Sequence, residues 1–430
     1  MKARVVGCRG VSGRVEATPS LWDSMVKIVA AAAGGGGEVD NLRMESRCIR
    51  DMAKALGGLG YRVEWVSSTR LHIRDEGGEP GSRVVVDTSC GLLVPGLLAP
   101  LAAVRLPPGG QFVVRGASRR PLAYSLRPII EAVTAVGGRA WPGGGPARLI
   151  VVEPAAYTGA GRVARLQSPP GYVAAGVLAA LAAAGGGRLL VYGSGVKAAK
   201  RLEGMKHALR EAGFRVEEGR WVEVAPREAG GPRLLRAEPG LHETALLLAL
   251  ASPCMEGGLE VSGLPGGEGL SGLEYLLKAS GFEARVECGR DCSLHVDSFA
   301  PSSAVVSLSE DPGYVFFAAA YTAAWARLTV TGLRSAVLEG LLDEGFEAFL
   351  HQLGVEVYIE DGDRLVAAEQ EPGEPGLARI ECGEPAYCVA ALARFMKAGR
   401  GVVKGVERIE DVAPGVLGSL QSLGAGIDVY

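Results

Sequence analysis

The chain has 430 residues, 48% of them apolar and 22% charged, with a formal net charge of -3. That is enough for two domains with sizeable cores, and it excludes disordered, collagenous and coiled-coil classes. The near-neutral balance also argues against a nucleic-acid partner, which would need a concentrated basic surface. The opening segment, MKARVVG, lacks the apolar run and small-residue cleavage site of a signal peptide. The most apolar windows, 172–184 and 315–326, are too short to span a bilayer. A cytoplasmic monomer with no membrane partner is the expectation.

Along the chain, one pattern occurs six times: an apolar helical stretch ending in a small residue and a glycine, followed by a short alternating strand. ALGGLGYRVEW (55–65) and ALREAGFRVE (208–217) are two of its copies. The marker glycines are Gly60, Gly137, Gly213, Gly281, Gly354 and Gly424, spaced 77, 76, 68, 73 and 70 residues apart. Such a glycine fits the left-handed position just past a helix C-terminus. Before each marker lies a second, Ala- or Leu-rich helix. Its start reads TPSLWDS (18–24), DTSCGLL (87–93), SPPGYVA (168–174), EPGLHET (238–244), EDPGYVF (310–316) or GEPAYCV (383–389). Proline, serine, aspartate and glycine there are N-cap and N1 residues. Each period of about 73 residues therefore predicts a strand, helix, strand, helix, strand unit. The helices that are apolar all round must be buried on most sides. This predicts three units per domain, sheets outside and helices inside, with a division near residue 238 and a ligand cleft between two lobes.

Several segments, taken in order, resemble landmarks of the EPSP synthase family, whose fold is that of the enolpyruvyl transferases. SGRVEATPS (12–20) is similar to its opening strand and P-S-K-S turn, and EVDNL (38–42) to the strand after the first helix. DTSCG (87–91) stands at its N-x-G-T turn, RRPL (119–122) at R-P-M, SPPGYVAAGVL (168–178) at S-S-Q-Y, and EDPGY (310–314) at D-x-P-D. APGVLGSLQSLGA (413–425) is similar to its final helix. The resemblance implies an α/β protein: a two-lobed inverse α/β barrel of six βαβαβ-type units. Residues 20–237 would form one lobe and 1–19 plus 238–430 the other. It implies transfer of the carboxyvinyl group from phosphoenolpyruvate to shikimate 3-phosphate, in aromatic amino-acid synthesis, without a cofactor or metal. The matching positions for these small anionic ligands are Ser20, Lys27, Ser89, Gly91, Arg120, Arg127, Ser168, Tyr172 and Arg334. Glu310, Asp311 and Glu339 are the candidates for proton transfer.

The chemistry of those positions departs from the family's. Its lysine and serine after P-S become Leu21 and Trp22, and its polar S-S-Q becomes Pro169, Pro170 and Gly171. The family's base aspartate falls at Gly313, and its K-E-S-D-R stretch becomes RSAVLEG (334–340). D-H-R becomes EPAY (384–387), and the late lysine falls near Glu410 or Asp411. Losing one charged partner of a buried anion costs about 2–5 kcal/mol, too much for a few relocated side chains to absorb six times. Divergence from the family reaction, or its loss, is therefore the expectation. The alternative is an active transferase whose contacts have moved, with Lys27, Arg47, Arg119, Arg120 and Arg127 as substitutes.

Other signals are weaker. Arg115, Arg119, Arg120 and Arg127 form the densest cationic segment, which reads as an anion site or a solvated turn. Gly193, Ser194 and Gly195 before Lys197 look like a fragment of a phosphate loop but lack G-K-[ST], so a plain turn is favoured. His242 and Glu243 stand at a predicted helix N-terminus, where capping is favoured over acid–base work. Pro107 to Gln111 lacks the cysteine of MurA-type transferases, and no nucleotide-accepting histidine of an RNA-phosphate cyclase can be placed. The eight cysteines include no C-x-x-C pair. Cys288 and Cys292 with His295 have the wrong spacing for a zinc site, so most are read as small buried apolar residues.

Overall fold

The structure is a computed structural model that describes residues 1–7, 10–87, 91–115, 123–142, 149–154, 161–193, 196–227, 233–309, 311–368, 375 and 377–430. The chain divides into two compact units. A flanking unit comprises Met1–Leu21, Glu238–Val337 and Leu341–Tyr430, and an inserted unit comprises Trp22–Ala237 with Leu338–Gly340.

Three four-stranded sheets build the inserted unit. In order across each sheet they are Arg233–Arg236, Gly36–Asp40, Arg70–Arg74, Arg62–Ser67; then Arg83–Asp87, Gln111–Arg115, Leu149–Glu153, Arg139–Pro142; then Arg162–Gln167, Gly187–Tyr192, Val222–Val224, Val216–Glu218. In all three the first pair is parallel and the rest antiparallel. Strands joined in parallel need a crossover, and the helices Leu93–Arg105 and Gly171–Ala183 supply it for the second and third sheets. The helix Gly171–Ala183 is buried from Gly171 through Ala182, with no polar face. Small residues permit this. A Cβ at Gly176 would collide with the carbonyl oxygen of Gly96, and one at Gly96 with the Tyr172 ring, so the two helices meet almost backbone to backbone.

The flanking unit repeats the scheme: Val11–Glu16, Met255–Leu264, Cys292–Phe299, Phe282–Cys288; Ala304–Ser307, Leu328–Thr331, Arg364–Ala367, Val357–Glu360; and Arg379–Glu381, Gly401–Lys404, Lys2–Val5, Ile427–Val429. Again the first pair in each is parallel. In the last sheet, residues 2–5 lie between strands from the C-terminal segment, so both ends of the chain complete one sheet. Its inner helices Leu241–Ala251, Val315–Trp325 and Pro385–Ala398 are mostly Ala, Leu, Val and Phe and are buried nearly throughout. The six marker glycines have φ of +89°, +85°, +97°, +94°, +73° and +90°. This is the left-handed region that a helix C-terminus before a strand requires.

Two expectations need correction. Side-chain capping of the inner helices is sparse. The N-caps Pro170, Gly240 and Glu384 make no side-chain cap, whereas Asp311 accepts from the Gly313 N–H at 3.1 Å. Proline at the first positions, as at Pro312 and Pro385, replaces it. Of the described cysteines, Cys48, Cys254, Cys292, Cys382 and Cys388 are buried as expected, but none of the described ones is a thiol. Cys288 is bonded to Cys292, directly opposite it in a hairpin, Cys382 is bonded to Cys388, and Cys48 and Cys254 are disulfide-bonded as well. The hairpin cysteines therefore serve as a covalent clip. No helix among the described residues is long and apolar enough to cross a membrane.

Candidate functional site

In the inserted unit, polar groups gather where the first helix, Leu21–Ala33, meets the helix Val196–Glu211. Lys27 is 1% exposed. Its ammonium lies 3.3 Å from Asp23 and 3.2 Å from Glu211 and donates to the Arg236 carbonyl. With three acceptors around a buried cation, the charge is neutralised within the unit. One turn earlier the Trp22 ring lies 4.9 Å from the Arg201 guanidinium, a cation–π stack. Arg201 Nη2 pairs with Glu339 at 2.7 Å, both side chains being largely buried. Tyr172, fully buried on its inner helix, completes the group. Burial pushes its phenol well above the ordinary range, Glu339 pushes the same way, and Arg201 opposes.

In the flanking unit, the N-termini of Leu241–Ala251 and of the short turn Pro312–Tyr314 converge. His242 Nε2 lies 3.0 Å from Asp311 Oδ2, with the histidine about a third exposed and the aspartate about a quarter. The imidazole covers Gly313 so closely that a Cβ there would come within 2.7 Å of Nε2. The Tyr314 ring meets it edge-on at 4.7 Å. Asp311 is fixed at its other oxygen by the Gly313 N–H. Glu243 is buried, and its Oε1 accepts from the Leu21 N–H at 2.8 Å. Burial raises its pKa, with His242 and the Leu21 N–H opposing that shift. Burial likewise pushes the Tyr314 phenol up, reinforced by Asp311 and Glu243. An imidazole and two carboxyl groups therefore share one corner, the combination that proton transfer uses.

The remaining expected residues are dispersed. Arg127 is exposed and pairs with Glu131 one turn along its own helix. Arg334 ties down a turn, its Nη2 donating to the Asp361 carbonyl and its N–H to Asp363. Ser168, at φ +45°, donates to the Gly193 carbonyl. The Ser20 N–H bonds the Glu238 carbonyl. Gly91, at φ +65°, leaves room for the backbone of Gly340, whose carbonyl oxygen a Cβ would approach to 3.0 Å. Glu410 accepts from the N–H groups of Gly415 and Leu417 at the start of the helix Val416–Ser422, so a carboxylate does helix-end work near the family's lysine position. Ser89, Arg119, Arg120, Ser194, Gly195 and Glu310 lie outside the described residues. Among the described residues, no group of three or more His, Cys, Asp or Glu could hold a metal ion.

Sequence reading missed Arg201, Asp23 and Glu211. Arg201 is one of many charges on an amphipathic helix, and only the position of Trp22 beneath it distinguishes it. Asp23 did carry a signal, since it stands four residues before Lys27 on one helix face.

Six like-ordered sheets in two units and helices buried on all sides define the enolpyruvyl transferase fold, and the structural comparisons agree. An EPSP synthase structure from Acinetobacter baumannii matches with a TM-score of 0.70 at 16% identity, covering 100% of this chain and 99% of that one. A second structure of EPSP synthase from Acinetobacter baumannii matches at 0.69 and 15%, covering all of both chains. The enolpyruvyl transferase NikO from Streptomyces tendae matches at 0.67 and 14%, covering 99% of this chain and 98% of its own. No known family's sequence profile matches the chain, and no curated protein does. The chain thus has the EPSP synthase-like enolpyruvyl transferase fold.

Proposed function

We propose that this protein is a divergent relative of the EPSP synthases that binds a small anionic ligand and does not transfer a carboxyvinyl group from phosphoenolpyruvate to shikimate 3-phosphate. The observation that carries this reading is the state of Lys27. The only cation in its turn is buried between two carboxylates and a carbonyl, where it cannot meet a phosphate. Arg127 and Arg334 are likewise engaged with groups of their own unit. A reaction joining two multiply charged anions needs several cations aimed at the ligands.

The test is phosphate release from phosphoenolpyruvate with and without shikimate 3-phosphate, alongside calorimetric titration of each compound. The expected result is no release that depends on both substrates. Release requiring both would favour the second reading, an active transferase with relocated contacts. The His242–Asp311 pair supports that second reading, because it is partly exposed and has the composition of an acid–base dyad.

A further inference from the structure

Arg201 is held in an unusual way. A guanidinium presents two parallel donors that match the two oxygens of a carboxylate. Here Nη2 meets Glu339 at 2.7 Å, while Nη1 is buried and has no hydrogen-bond partner among the described residues. The plane of the group is covered by Trp22. The indole has room because Gly204, one turn along from Arg201, has no side chain; a Cβ there would stand 3.3 Å from the indole nitrogen. The carboxylate arrives on a three-residue tongue, Leu338–Gly340, which belongs to the inserted unit although the chain on either side of it does not. The tongue begins at the last residue of the short helix Leu333–Leu338 and turns at Gly340, φ +71°. An aromatic-faced guanidinium, half satisfied by a carboxylate on a short turn, has the chemistry of a receptor holding a stand-in ligand.

We propose that Arg201 with Trp22 forms a carboxylate-binding site in the inserted unit, and that Glu339 is its exchangeable internal occupant. The ligand class is a small free carboxylate able to use both arms of the guanidinium. Binding would exchange one buried carboxylate for another, so the charge on Arg201 stays compensated and only the tongue moves. The inference does not depend on whether the protein transfers carboxyvinyl groups.

Acetate is the probe, with chloride at matched ionic strength as the control and inorganic phosphate as the comparison. In the wild-type full chain, acetate is expected to speed hydrogen exchange of the amides of residues 338–340 severalfold and saturably, without a similar change elsewhere in the unit. In Glu339→Ala the site is vacated. Acetate is then expected to raise the melting temperature saturably by about 2–4 °C, and Glu339→Ala/Arg201→Met is expected to lose that response. If Glu339→Ala does not fold, Glu339→Gln keeps the shape without the charge and is expected to respond in the same direction. The proposal is overturned if wild-type exchange at 338–340 ignores acetate, or if the response of the Glu339 variants is absent or survives removal of Arg201. A larger effect from phosphate than from acetate would overturn the carboxylate assignment.

Discussion

The two units share one construction, three sheets of identical order around buried helices, but treat the charged groups near those helices differently. In the inserted unit, Lys27 and Arg201 are drawn inward and matched by Asp23, Glu211 and Glu339. In the flanking unit, His242 and Asp311 face each other with part of each side chain exposed, above a buried Glu243. The same scaffold thus hosts a buried cation locked among carboxylates at Lys27 in one unit and a partly exposed imidazole–carboxylate pair in the other. The position of a helix start does not decide which of these it carries; the residues that pack over it do.

Lys27 gives the sharpest way to break this contrast. Removing the buried cation leaves Asp23 and Glu211 without it, and because both carboxylates are partly exposed the cost falls below that of a fully buried pair, at about 2–3 kcal/mol. Lys27→Ala should lose that much in urea or guanidinium denaturation. Lys27→Met fills the volume but leaves Asp23 and Glu211 without their cation, so it should be nearly as damaging. Wild-type stability in Lys27→Met would mean that the network is a matter of packing and that the inserted unit does not differ from its neighbour in electrostatics.

The disulfide Cys382–Cys388 comes next, in the flanking unit, where it closes the turn that leads into the helix Pro385–Ala398. A loop this short restricts the unfolded chain by roughly 2 kcal/mol. Cys382→Ala/Cys388→Ala should lose about that amount in thermal denaturation, and reduction of the wild type should reproduce the loss. No loss on either route would show that the turn is held by packing alone.

Much of the fold was legible because it rests on local rules repeated six times. A glycine at the end of each outer helix takes positive φ whatever surrounds it, and an alanine-rich stretch with no polar face has only the interior to occupy. Of the flanking-unit cluster, Asp311 was named in advance for proton transfer, whereas His242 and Glu243 were noted at a helix start readable from proline and glycine but read first as capping groups. Glu339 was named in advance for proton transfer, but its pairing with Arg201 was not legible, because the two are 138 positions apart in a chain of 430 residues and are brought together by tertiary packing. The cysteines misled for the same reason. Spacing shows which residues could form a metal hairpin, but a cross-strand pair such as Cys288 and Cys292 depends on strand register.

Glu243 tests the flanking unit by pH. Burial raises its folded-state pKa above the ordinary value of 4.5. Below 4.5 the carboxyl is protonated folded or unfolded, and it imposes no penalty. As pH rises from there through the folded value, the unfolded chain releases the proton first, so stability falls. Glu243→Gln cannot ionise and should lack this fall. Its stability relative to wild type should therefore improve with pH from about 4.5 upward, read from denaturation midpoints across pH 4 to 8. Parallel curves for the two proteins would mean that Glu243 is solvated, and the distinction between the units would then rest on His242 and Asp311 alone.

The smallest effect is expected at Arg127, the sequence-favoured anion contact for which the structure describes the least support. Its guanidinium is 81% exposed and meets Glu131 at 2.8 Å along one helix. Such pairs contribute about 0.3–0.5 kcal/mol and weaken with salt. Arg127→Ala should therefore shift stability by no more than this, and should leave calorimetric titration with inorganic phosphate unchanged from wild type. A phosphate signal in the wild type that disappears with Arg127 would place an anion contact on an open helix face of the inserted unit. The charges drawn inward around Lys27 and Arg201 would then be only part of how that unit handles anions, and the contrast with the flanking unit would narrow accordingly.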